Sequence, residues 1–138
     1  MVTLQDLKEL RYLQGEITAL REREREIAHR LTYAASVPAA ARVKGDDGRT
    51  GEERYRDALE RVRESLCARR LALVKKEAAV LAYISSVPDS LVRQILTFRF
   101  LNGLSWTAVA NKIGGGNTEE SVKKAFYRFF AKEIRERQ

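Results

Sequence analysis

Apolar positions recur every three or four residues through most of the chain, and the places where they stop divide it. From residue 4 to 31, Leu10, Leu13, Ile17, Leu20, Ile27 and Leu31 keep this alternation, with Glu24 standing in the same stripe. A stripe this narrow predicts a long helix with a coiled-coil seam. Gly15 weakens that helix by about 1 kcal/mol relative to alanine. The pattern breaks over residues 33–51, where Pro38, Gly45, Gly48, Gly51 and the pair Asp46-Asp47 mark a long loop. It resumes over 52–86, where Tyr55, Leu59, Val62, Leu66, Leu73, Val80 and Ile84 recur at near-heptad spacing with Arg69 interrupting. Two helices of similar length joined by one loop can fold back on each other or pair between chains. A two-helix hairpin buries little by itself, so it must pack on the C-terminal part or on a second copy. Dimerisation is the preferred expectation.

Val87-Pro88-Asp89-Ser90 is the expected boundary, because proline lacks an amide hydrogen and disfavours a continuous helix. Beyond it the pattern predicts three more helices. The first runs from about Pro88 to Leu101, with Pro88 at its first position or Asp89 as its cap, and stops at Asn102-Gly103. Ser105 caps a short helix, Trp106 to Ile113, which Gly114, Gly115 and Gly116 end. Thr118 caps the last helix, with Glu119 and Glu120 in its first turn, where carboxylates suit the positive end of the macrodipole. Leu104 just before the short helix and Val109, Ala110 and Ile113 on it fall inward, as do Val122, Ala125, Phe126 and Phe129 on the last. Phe98, Phe100, Trp106, Phe126, Phe129 and Phe130 are the expected aromatic core. Trp106 either wedges between helices or lies against a nucleic-acid backbone.

A short helix, a turn and a longer basic helix form the pattern of a helix-turn-helix DNA reader. Any small helical domain with solvated lysines would share much of it. The charge is compatible with a nucleic-acid partner without establishing one. The chain carries 26 basic and 19 acidic side chains, a net +7. Residues 1–87 hold 17 and 14 of these, and residues 88–138 hold 9 and 5, so the positive excess is densest in the C-terminal segment. Thr118, Glu120, Ser121 and Lys124 are the candidates for base edges, and Lys123, Arg128, Thr107 and Lys112 for phosphates, with Asn117 in the turn beside them. In the loop, Arg42, Lys44 and Arg49 could also meet phosphate, although a plain connector has the same composition.

The stretch LTFRFLNGLSWTAVANKIG resembles the region 4 helix-turn-helix of sigma-70-type factors, through Arg99, Phe100, Gly103, Leu104, Ser105, Trp106, Val109, Ala110, Ile113 and Gly114. IGGGNTEESVKKAFYRFF is similar to a group of small phage- and mobile-element-encoded proteins that carry such a domain behind a helical N-terminus, with late-gene regulators of the ArpU type as looser relatives. The turn Gly114-Gly115-Gly116-Asn117-Thr118 is longer than sigma factors use, so the resemblance does not fix the exact base-contact positions. Nothing resembles the promoter −10-reading region. The resemblance implies a DNA-binding transcriptional regulator, with RNA polymerase as a further partner. The alternative is a protein-interaction module that docks on polymerase or a phage assembly, including a small-terminase-like packaging role.

The remaining chemistry is sparse. One cysteine, Cys67, excludes an intrachain disulfide, and with the lone His29 it is too little for a metal site. There is no nucleophile–base pair and no paired-carboxylate cluster, so the reading is not an enzyme and calls for no cofactor. The lone cysteine implies a reducing cytoplasm, Met1 to Leu13 is amphipathic rather than a leader, and no run approaches a membrane span. The expected fold is therefore all-α. A long antiparallel two-helix coiled-coil hairpin (1–87) precedes a three-helix helix-turn-helix domain (88–138), and the protein acts as a dimer on double-stranded DNA.

Overall fold

The computed structural model describes residues 2–137. It is all-helical, with five α-helices and no strand among the described residues: α1 (Leu4–Ser36), α2 (Gly51–Ser86), α3 (Ser90–Leu96), α4 (Trp106–Ile113) and α5 (Glu119–Arg137). A short 3-10 turn (Ala39–Ala41) follows α1, and a π turn (Thr97–Leu101) follows α3. No described helix is long and apolar enough to cross a membrane.

By packing, the chain divides into two compact units. One unit comprises Met1–Gln14 with Leu73–Gln138, and the other is Gly15–Ala72. Apolar residues at the start of α1 and the end of α2 share a core with the C-terminal helices. Leu7 and Leu10 of α1, and Val80 and Ile84 of α2, are buried in one cluster with Ile95, Leu96, Val109, Val122 and Phe126. Two short helices and one longer one cannot bury all their apolar faces on each other, so they take up the ends of α1 and α2.

Within this first unit the capping residues fix the local structure. Asp89, not Pro88, opens α3, and its carboxylate accepts from the amides of Leu91 (2.8 Å) and Val92 (3.2 Å). α3 is shorter than the sequence suggests. The expected helix to Leu101 holds its α form only to Leu96 and then widens, with the Asn102 amide bonding the Thr97 carbonyl at 3.0 Å. A wide turn leaves carbonyls turned outward, and α1 supplies donors for them. Arg11 Nη1 donates to the Arg99 carbonyl (3.1 Å), and Gln14 Nε2 donates to the Phe100 carbonyl (2.6 Å). Gly103, at φ +71°, then turns the chain into α4. Ser105 caps α4 through its hydroxyl to the Ala108 amide.

In the second unit the charged residues interrupting the two apolar stripes have partners. Glu24 accepts from Arg63 Nε at 3.2 Å, and Arg69 reaches Glu16 at 3.0 Å. The loop cations are also engaged within the chain. Arg42 pairs with Glu52 at 2.6 Å and donates to the carbonyls of Val37 and Ala35, while Arg49 pairs with Asp57. The plain-connector reading of the loop accounts for both arginines. Cys67 is exposed.

Candidate nucleic-acid interface

The turn from α4 to α5 is built by glycines and then by reciprocal caps. Gly114 stands at φ +70°, ψ −146°, a region open in practice only to glycine. Gly115 and Gly116 also have positive φ. The chain can therefore spend three residues on the turn that any side chain would resist. Asn117 closes it, its Nδ2 donating to the Gly114 carbonyl at 2.9 Å. Thr118 and Ser121 then cap α5 mutually. The Ser121 amide donates to Thr118 Oγ1 (3.1 Å), and the Thr118 amide donates to Ser121 Oγ (2.9 Å). The Ser121 hydroxyl also lies within bonding distance of Asn117 Oδ1 and the Thr118 carbonyl.

Glu119 ties the two helices together. One carboxylate oxygen accepts from the Thr107 hydroxyl of α4 (2.9 Å), and the other from Lys123 (2.8 Å). These two partners, Lys123 first, hold the Glu119 carboxyl below its ordinary range. A carboxylate lowered in the folded state contributes stability at and above the ordinary glutamate range. That contribution is lost as pH falls through the lowered folded value. Replacing Glu119 by Gln should therefore reduce the melting temperature at neutral pH, and the gap from the native protein should close on acidification. A gap independent of pH in thermal melts would rule out this role.

Five of the nine candidate residues thus have side chains engaged inside the protein: Thr107, Asn117, Thr118, Ser121 and Lys123. The other four, Lys112, Glu120, Lys124 and Arg128, are exposed. Lys124 and Glu120 approach to 3.7 Å across one helical turn, both well solvated. An exposed pair of this kind holds its geometry weakly and can open to meet a ligand. Among the described residues, Lys112 and Arg128 make no ion pair. On α5, Glu120, Lys124, Tyr127 and Arg128 recur at three- and four-residue spacing, so the solvent-facing stripe is mixed at its start and cationic further along.

Behind this face lies an aromatic stack. Phe126 is almost fully buried and meets the rings of Phe100, Trp106, Tyr127 and Phe130 at centroid distances of 5.3, 5.4, 5.0 and 5.0 Å. Trp106 wedges between helices, edge-on to Phe100. The Arg99 guanidinium carbon lies 4.7 Å from the Trp106 ring centroid, and its Nη1 donates to the Leu104 carbonyl at 3.0 Å. Burial, and next the charge of Arg11, lower the Arg99 guanidinium from its ordinary value. Lys8, Arg11 and Tyr12 of α1 line one pocket with Arg99; the resemblance points to Arg99, and none of the α1 three is among the sequence candidates. A signal was present: neither Lys8 nor Arg11 has an acid three or four residues away, unlike the alternating charges from Arg21 to Glu26.

Comparison with protein-family models, with curated proteins and with solved structures finds no match.

Proposed function

We propose that the protein is a DNA-binding transcriptional regulator of phage or mobile-element type, with α4 and α5 as a helix-turn-helix whose α5 enters the major groove. The observation that carries this reading is the solvent face of α5. It offers an acid, a lysine and an arginine on one stripe, held by a helix whose start is fixed by a reciprocal cap and whose back is locked into an aromatic core. A base-reading helix needs its backbone position fixed and its outward side chains uncommitted. Glu120 can accept from a cytosine amino group and Lys124 can donate to guanine, while Arg128 and Lys112 meet phosphates.

In this reading α1 and α2 form an antiparallel hairpin and pair with a second copy, placing two reading helices on half-sites in the cytoplasm. The order of the ion pairs inside each unit supports the antiparallel direction. Glu9 meets Lys76 in one unit, and Glu16 and Glu24 meet Arg69 and Arg63 in the other, so the α1 number rises as the α2 number falls. A protein-docking role, on RNA polymerase or a phage assembly, is the second reading. It is supported by Tyr127 and Ile134 of α5, each about half exposed at 50% and 51%.

Selection from a random-sequence duplex pool at two salt concentrations separates the readings. The expected result is an enriched motif whose affinity falls steeply with salt, with palindromy if the protein acts as a dimer. No retention at low salt would sink the DNA reading and transfer the weight to docking.

A further inference from the structure

Three cations of the first unit converge on one small cavity. Lys8 and Arg11 come from α1, and Arg99 comes from the π turn. With Leu4, Tyr12, Phe100, Trp106, Phe126 and Tyr127 they line a pocket of about 180 Å³. Leu4, Lys8, Arg11 and Tyr12 share one face of α1 by their spacing, so a single helix presents two of the charges and a phenol together. Among the described residues, none that lines the pocket is acidic, and none of the three cations makes an ion pair. The nearest acids of α1 are committed elsewhere. Glu9 pairs with Lys76, and Asp6 caps its own helix by accepting from the Thr3 amide.

The arginines are held there by carbonyls rather than by carboxylates. Arg11 and Arg99 both donate towards the Leu104 carbonyl, at 3.5 and 3.0 Å, which brings two like charges onto one neutral acceptor. The Arg99 Nε is buried without a hydrogen-bond partner. Proteins rarely leave a buried donor of a charged group unsatisfied, and an ion or water is a usual explanation where they do. Like charges gathered without a counter-charge raise the free energy of the empty site, and an oxyanion seated among them lowers it. Arginine forks and a lysine ammonium are the groups that recognise phosphate oxygens best. The cavity exceeds the roughly 30 Å³ share of one water several-fold, enough for a tetrahedral oxyanion with solvent.

We propose that this pocket binds a phosphoryl group, with Lys8, Arg11 and Arg99 as its ligands and the Trp106 ring as the platform that fixes Arg99. The phosphoryl group is either a backbone phosphate of DNA or part of a free phosphorylated small molecule. The first source rests on the DNA-binding reading and extends its contact surface to α1. The pocket chemistry itself stands apart from that reading.

Trp106 is the only tryptophan in the chain, so the site carries its own reporter. Its fluorescence would be titrated with inorganic phosphate and, at equal ionic strength, with chloride, for the native protein, Lys8→Gln and Lys8→Glu. Lys8 is exposed, so both variants should fold. The native protein should respond saturably to phosphate and not to chloride. Lys8→Gln should weaken that response by roughly 10- to 100-fold, as loss of a charge-assisted hydrogen bond does. Lys8→Glu should abolish it and raise the melting temperature in phosphate-free buffer, since its carboxylate supplies the missing counter-charge. A native response identical for the two salts would overturn the proposal, as would an unaltered phosphate response in Lys8→Glu. Duplex DNA then identifies the source. DNA affinity that falls in Lys8→Gln, and that phosphate competes away, assigns a backbone phosphate. DNA affinity unchanged while the phosphate response is lost assigns a free phosphorylated molecule, with the pocket intact.

Discussion

Phe126→Ala should remove about 3–5 kcal/mol of stability from the unit that contains it, the range for truncating a buried phenylalanine. The site is among the least accommodating in the chain. Phe126 is only 1% exposed, and it is the one ring that meets Phe100, Trp106, Tyr127 and Phe130 together. Its neighbours come from the π turn, α4 and α5 itself, so the void cannot be closed by moving one element. Phe100 and Trp106 also contact each other, which holds the walls apart. Aromatic pairs add about 0.5–1.5 kcal/mol each beyond area burial, which places the expected cost at the upper end. The measurement is chemical denaturation followed by circular dichroism and by Trp106 fluorescence, with Phe126→Leu as the volume-preserving control. Because α1 and α2 run through both compact units, the two signals should be compared. Early loss of the fluorescence signal would show that the first unit melts on its own. A total loss below about 1 kcal/mol would mean that the aromatic stack is not the core of that unit.

The helices were legible in the sequence because each carries its own signal. Ser105 and Thr118 announce α4 and α5, the three glycines announce the turn between them, and Pro88-Asp89 marks the start of α3. These are local events within a few residues, and local chemistry decides them. The wide turn after Leu96 was not legible. Thr97 donates its hydroxyl to the Arg93 carbonyl at 2.8 Å, and the freed carbonyls are satisfied by Arg11 and Gln14, more than eighty residues earlier in the chain. No periodicity in the segment itself encodes a partner at that distance. The same long-range link places the start of α1 in one core with the C-terminal helices. Heptad spacing in α1 identifies a helix but not what each part of its stripe faces, and Leu7 and Leu10 face the C-terminal core. Among the candidate contact residues, spacing correctly sent Lys112, Lys124 and Arg128 outward. The sequence marked Thr118 as a cap but did not show that Asn117 and Ser121 would spend their side chains on the same turn. Short polar residues at a helix start serve capping and base reading alike, and only the bond geometry separates the two uses.

That separation sharpens what substitutions on the proposed reading face should do. Lys124→Ala removes an exposed side chain that, among the described residues, pairs only with Glu120, so the fold should be untouched. If Lys124 reads a base edge, the change should cost about 1–3 kcal/mol on the preferred sequence and much less on others, flattening discrimination at one position. Lys112→Ala should act differently. A phosphate contact contributes equally to all sequences, so its loss should weaken binding uniformly and reduce the slope of log affinity against log salt by about 0.9. Ser121→Ala supplies the contrast. It removes a cap, so it should lower the melting temperature, at a cost of about 1 kcal/mol, while leaving base preference intact. Affinities measured against the selected motif and a scrambled duplex, at several salt concentrations, distinguish the three behaviours. If Lys124→Ala and Lys112→Ala bind both duplexes as the native protein does, α5 is not the reading helix. The exposed Tyr127 and Ile134 then become the first positions to test for a protein partner.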